Sequence, residues 1–210
     1  QVTLLGTSTT TGPDSCVATV TVSLAVELDT VDLATFTPET GMVIMGTVKS
    51  GWSGWAISEL GDVNGDGTDD MIVSGYRVKV NGQTNAGSSY VIFGDSTGMP
   101  DTLYVDELDG TNGFTLLGID KHDYSGEGVS SGGDFNNDGI NDIFISAPFG
   151  DESHSNTGEA YIVFGSTNPF PAVFDLGLFN GTNGIQINGV NNCLLYTSDA
   201  ADDTLWCGGG

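Results

Sequence analysis

One stretch of this chain recurs at a fixed displacement, and that restricts its fold more than any bulk property does. The segment GDVNGDGTDDMIV (Gly61 to Val73) returns as GDFNNDGINDIFI (Gly133 to Ile145), 72 positions later. Downstream, GSSYVIFG (Gly87 to Gly94) returns as GEAYIVFG (Gly158 to Gly165), displaced by 71. LDGTNGFTLLG (Leu108 to Gly118) returns as FNGTNGIQING (Phe179 to Gly189), again displaced by 71. A weaker copy, FTPETGMVIMG (Phe36 to Gly46), lies 72 before the segment at Leu108. Repeats of this length are single supersecondary units that stack to bury a shared core.

Each repeat reads as four short strands. In the second they fall near Phe114–Leu117, Gly128–Ser131, Asp142–Ala147 and Ala160–Phe164. Val, Ile, Phe and Tyr fill them; Gly, Asp and Asn interrupt them. No window carries a 3.6-residue apolar stripe of helical length. The 32 glycines among 210 residues form neither a collagen period nor a linker tract, so they serve turns between strands. The expected fold is all-β: a partial β-propeller of about two four-stranded blades plus part of a third. A β-sandwich with internal self-similarity is the alternative.

The expected layout is a linker and a strand of a preceding blade or domain over residues 1–30. Blades follow over 31–112 and 113–183, and a further blade starts at 184–192. Residues 17–28 (VATVTVSLAVEL) alternate cleanly and predict one half-buried strand. The tail from 193 to 210 breaks the pattern. CLLYTSDAADD (Cys193 to Asp203) resembles a translated adapter of transposon-based sequencing libraries, so this tail is expected to be a read-through artefact.

The two copies of the strongest repeat are also loops of oxygen donors at alternate positions. The first offers Asp62, Asn64, Asp66, the carbonyl of Thr68 and Asp70; the second offers Asp134, Asn136, Asp138, the carbonyl of Ile140 and Asp142. Hard oxygen ligands without His or Cys select Ca²⁺ over zinc or copper, so two Ca²⁺ sites are expected. Gly67 and Gly139 stand where such a loop turns sharply, and Gly65 and Asn137 tolerate a left-handed backbone. An EF-hand would need a bidentate Glu at the twelfth position and flanking helices. Here Val73 and Ile145 stand there, inside β-branched runs.

With DVNGDGTDD and DFNNDGIND, the strands MIVSG and ISAP, and YVIFG and YIVFG, the chain resembles FG-GAP repeat proteins over about 160 residues. The resemblance implies the propeller of integrin α subunits and of many bacterial surface proteins, with Ca²⁺ held at the ten loop positions named above. The first repeat departs after its loop, carrying SGY (Ser74 to Tyr76) where the second has SAP.

Charge narrows the partners further. With 28 acidic residues against 4 basic ones, a net of −24, neither nucleic acid nor an anionic membrane is an expected partner. No apolar run is long enough to span a bilayer, so this segment is not expected to insert. The expected partner is an unidentified protein or carbohydrate. Cys16, Cys193 and Cys207 form no metal spacing and no disulfide framework. His122 and His154 stand alone in polar loops, and no GxSxG, HExxH or P-loop occurs, so no enzyme is expected. Trp52 and Trp55 precede the first loop, and Trp55 stands where the second repeat has Glu127, so partial exposure is expected. Asn180-Gly181-Thr182 is a glycosylation sequon if the source is eukaryotic.

The function expected is a non-catalytic binding or adhesion module of an extracellular or cell-surface protein. Any export signal would have been removed or lie outside the chain, since none stands at Gln1. The alternatives are an accessory propeller of a secreted hydrolase and a purely architectural repeat array.

Overall fold

The computed structural model describes residues 6–10, 16–20, 41–150 and 157–189. The tail from 193, the later part of the 17–28 strand, His154 and residues 190–192 lie outside the described residues. So do Cys193 and Cys207.

Thirteen strands are described, with two short 3-10 turns and no α-helix among the described residues. The middle sheet is built from β4 (Ile57–Gly61), β5 (Asp70–Gly75), β6 (Ser88–Ile92) and β8 (Gly113–Leu117), each antiparallel to the next. The following sheet repeats it with β9 (Gly128–Gly133), β10 (Asp142–Ala147), β11 (Glu159–Val163) and β13 (Gly184–Asn188). A preceding sheet holds β1 (Gly6–Thr10), β2 (Cys16–Val20) and β3 (Met42–Met45), again antiparallel. Cys16–Val20 thus shares a sheet with the weak upstream repeat.

Sheet and sequence repeat are offset by one strand. The expectation that Phe114–Leu117 joins Gly128–Ser131 in one sheet is corrected: Gly113–Leu117 pairs with Ser88–Ile92, setting Phe114 opposite Val91. A sequence repeat is cut wherever two copies align. A sheet is instead closed by whichever strand the connection returns to its free edge.

Between its third and fourth strands each of these two sheets sends a strap backwards. β7 (Thr102–Tyr104) runs parallel to β3 of the preceding sheet, and β12 (Val173–Asp175) runs parallel to β8. The Val43 N–H donates to the Asp101 carbonyl and the Thr115 N–H to that of Ala172, so the two straps dock alike. Each covers an edge strand that would otherwise expose unpaired backbone.

Side-chain alternation makes the middle sheet two-faced. Ile72, Val91, Phe114 and Leu116 point into a core shared with Ile143, Ile145, Tyr161, Val163 and the strap residues Phe174 and Leu176. Met71, Val73, Tyr90 and Ile92 point the other way, against Met42, Ile44, Leu103 and Val105. Burying each such side chain contributes about 1.5–3 kcal/mol. Both faces of the sheet are therefore spent on its neighbours, as a propeller blade requires, and the chain is an all-β partial β-propeller.

Candidate metal loops

The Asp-rich segments are the hairpin connections from β4 to β5 and from β9 to β10. Each begins behind a bulge, where the register slips between Glu59 and Gly61 and, in the next sheet, between Asp142 and Ile143. The extra residue bends the first strand and directs the chain into the loop.

Within the first loop, Asp62 Oδ1 accepts from the N–H groups of Gly65 (2.7 Å) and Asp66 (3.1 Å), and Oδ2 from Gly67 (2.8 Å). Asn64 Oδ1 accepts from the Asp66 N–H while its amide donates to Asp66 Oδ2, and Asp66 Oδ1 accepts from the Thr68 N–H. The second loop repeats this. Asp134 accepts from Asp138 and Gly139, Asn136 bonds Asp138 in both directions, and Asp138 accepts from the Ile140 N–H. Gly65, Gly67 and Gly139 have φ of +75°, +88° and +92°, and Asn137 has +60°. These are the turning positions, and each carries a residue type that tolerates the conformation.

The closing carboxylates sit deeper. Asp70 and Asp142 begin β5 and β10 and are buried. Asp70 accepts from the N–H groups of Val63 and Gly94, both at 2.9 Å. Asp142 accepts from those of Phe135 (2.7 Å) and Gly165 (2.9 Å). Burial pushes the Asp70 carboxyl up to about 6; the two backbone N–H bonds oppose this, and the negative charges of Asp66 and Asp62 add to it. The three carboxylates thus share one electrostatic neighbourhood. Burial also acts to raise the Asp66 carboxyl, but hydrogen bonds involving Asn64 and Thr68 outweigh it and hold the group below its ordinary value.

Among the described residues no three or more Asp, Glu, His and Cys side chains are drawn together as a metal cluster. The loop carboxylates are engaged by their own amides instead. What fits a hard cation is the donor chemistry. At its alternate donor positions each loop brings three carboxylates and one side-chain amide close in sequence, with no His or Cys among them. A cleft of about 540 Å³ opens beside the first loop at Asp66 and Thr68, and one of about 580 Å³ beside the second at Asp138 and Ile140.

One residue that the donor pattern does not single out completes each loop. Gly94 and Gly165 stand two residues beyond the third strand of their sheets and donate to Asp70 and Asp142. A Cβ at Gly94 would lie 2.4 Å from the Asp69 carbonyl oxygen, and one at Gly165 would lie 2.2 Å from that of Asn141. The Phe-Gly pair occurs after YVI and YIV in both copies, which was the available signal.

The first loop is also laced to the next blade. The Asn141 N–H donates to the Asp62 carbonyl at 3.1 Å, and the Ser166 N–H to that of Val63 at 3.0 Å. Ser131 Oγ donates to the Leu60 carbonyl. One loop therefore contacts the other across the blade boundary.

The family model for the FG-GAP repeat matches residues 54–92 and 125–163, so each match covers one loop with the strands on either side. The chain is 34% identical over 115 residues to phosphatidylinositol-glycan-specific phospholipase D of Bos taurus, which covers 54% of this chain and 13% of that protein. The Homo sapiens protein of the same name is 33% identical over 114 residues, with the same coverage. Integrin alpha-5 of Xenopus laevis is 30% identical over 112 residues, 51% of this chain and 10% of that protein. The chain thus spans about one-eighth or less of these relatives.

Proposed function

We propose that this chain, which carries two FG-GAP repeats and is similar to integrin alpha-5 over about half its length, is a non-catalytic Ca²⁺-binding propeller module of an extracellular or cell-surface protein, serving adhesion or the binding of a protein or carbohydrate. The observation that carries this reading is the pair of Asp loops. They share one hydrogen-bond pattern at the repeat spacing, and the first is tied to the second by the Asn141–Asp62 bond.

Ca²⁺ would be held in the first loop by Asp62, Asn64, Asp66, the Thr68 carbonyl and Asp70. Asp134, Asn136, Asp138, the Ile140 carbonyl and Asp142 would hold it in the second. Bound there, the cation would supply positive charge beside carboxylates that act on one another electrostatically, as Asp62 and Asp66 act on Asp70. The loop residues do the rest: they close the hairpin, hold the bases of two strands together and present a fixed loop to the next blade. Sites of this kind with affinities of about 10⁻⁴–10⁻³ M would suit the calcium of extracellular fluid. Isothermal titration with Ca²⁺ tests the reading. Two sites per chain are expected, falling to one in Asp66→Ala and to one in Asp138→Ala; absence of binding at millimolar Ca²⁺ would sink it.

A second reading has an observation in its favour. Two of the relatives are, by name, phospholipases, so this propeller could serve as an accessory domain beside a hydrolase. Sequencing the parent gene separates the two, because an adjoining hydrolase domain is required by the second reading alone.

A further inference from the structure

The end of the blades opposite the Asp loops is aromatic. Trp52 and Trp55 precede β4, and Tyr76 and Arg77 follow β5, so all four lie at the other end of these strands from residues 62–69. Tyr124 precedes β9 and Phe149 follows β10 in the same way. The rings form one contiguous run across two blades. Trp52 meets Trp55 at 5.8 Å, Trp55 meets Tyr76 at 4.6 Å, Tyr76 meets Tyr124 at 5.7 Å and Tyr124 meets Phe149 at 5.4 Å.

Tyr76 is the buried floor, while Trp52, Trp55 and Phe149 are 43%, 48% and 41% exposed. Trp52 and Tyr124 reach their places with left-handed backbones, φ +57° and +56°, which bulky residues rarely adopt. Single exposed aromatics are ordinary; a contiguous run marks an interaction surface.

The chemistry selects the occupant. Arg77 already lies 4.8 Å over Trp52 and 5.2 Å over Tyr76, so a cationic ligand would meet an occupied place, and the exposed rings left for a ligand to stack on are Trp55 and Phe149. The chain's four basic residues, Lys49, Arg77, Lys79 and Lys121, stand in the loops at this end, so a sulfated sugar is the competing occupant, opposed by the net charge of −24. The run is wholly aromatic, without the aliphatic anchors of an apolar protein groove, and it carries hydrogen-bonding groups at its rim. Arg77 supplies a guanidinium, Glu127 lies within electrostatic reach of it, and the Tyr124 hydroxyl is held by the Asn85 amide at 3.2 Å. Electron-rich rings beside such groups suit the C–H face and the hydroxyls of an uncharged sugar.

We propose that the run from Trp52 to Phe149 binds a neutral oligosaccharide chain across the two blades. This names the ligand class of the binding module proposed above and rests on that reading, but it uses no residue of the Asp loops. The test titrates the full chain with cellohexaose, xylohexaose, chitohexaose and a sulfated heparin hexasaccharide, following tryptophan fluorescence, once in 2 mM Ca²⁺ and once in chelator. At least one hexaose is expected to bind with a dissociation constant of about 10⁻⁴–10⁻³ M in Ca²⁺. Trp55→Ala is expected to weaken it at least tenfold with unchanged circular dichroism. Tyr104→Ser, an exposed aromatic on the strap, is expected to leave it unchanged. Should Trp55→Ala lose its fold, Arg77→Ala, a surface change, carries the same prediction. No hexaose binding in Ca²⁺, undiminished binding in a folded Trp55→Ala, or binding confined to sulfated sugars would each overturn the proposal. Sugar binding with no Ca²⁺ effect on stability would fail the calcium reading alone; the reverse would fail this inference alone.

Discussion

At Gly165 the backbone leaves no room for a side chain, because a Cβ would lie 2.2 Å from the Asn141 carbonyl oxygen and 2.6 Å from Ile140 Cγ2. At Gly139 nothing lies within 4 Å of that position, and only φ +92° resists a side chain. Gly165→Ala should therefore cost about 3 kcal/mol or more, since backbone has to move. Gly139→Ala should cost about 1–2 kcal/mol, the strain of a left-handed residue. Urea unfolding of the two variants checks this; equal losses would contradict the steric account. Asp70 gives a pH dependence of known sign. Its folded value, about 6, lies above its ordinary 3.8, so the fold favours the protonated acid. In chelator, the contribution of Asp70 to stability is fully present below pH 4 and is lost as pH rises through about 6. Asp70→Asn should flatten that decline in chelator-treated protein, as read from melting temperatures between pH 4 and 7.

The straps decide which blades hold together. Phe174 and Leu176 on the second strap belong to the core between the middle and following sheets, and Phe170 just before it stacks on Phe114 at 4.3 Å and 4°. Phe114 is fully buried, so Phe114→Ala should cost about 3–5 kcal/mol by chemical denaturation. A double-mutant cycle with Phe170→Ala should return a coupling of about 0.5–1.5 kcal/mol; a coupling of zero would mean the stack contributes only area. The loops were legible in sequence because their donors and glycines recur in place, from Asp62 to Asp70 and from Asp134 to Asp142. The strands were legible because Ile72, Val91 and Ile143 stand in β-branched runs. The offset of sheet from repeat was not. Nothing in the residues Gly113–Leu117 records which edge they will meet; residues 93–112 decide that by carrying the chain back to β6. The straps escaped notice for a similar reason. Three-residue parallel pairings such as Val173–Asp175 on Thr115–Leu117 leave no periodic signal. The aromatic run was visible only as Trp52 and Trp55, since Tyr76, Tyr124 and Phe149 join it through folding alone.

Across the whole molecule, acidity and blade packing act against each other. A net charge of −24 repels itself in the compact state, and each Asp loop concentrates that repulsion beside a blade boundary. Two divalent cations would reduce it at loops that touch through Asn141 and Asp62. Sodium chloride only screens exposed charges, so 150 mM should recover a minor part of what 2 mM Ca²⁺ provides. The decisive measurement is thermal melting of the full chain in 2 mM Ca²⁺ and in chelator, beside a variant carrying both Asp66→Ala and Asp138→Ala. With dissociation constants near 10⁻⁴ M, binding should stabilise by about 2 kcal/mol per site and raise the melting temperature by roughly 10 °C. The double variant should show no such rise. A parent chain melting at one temperature with and without Ca²⁺ would contradict the account, as would a double variant that keeps the full shift.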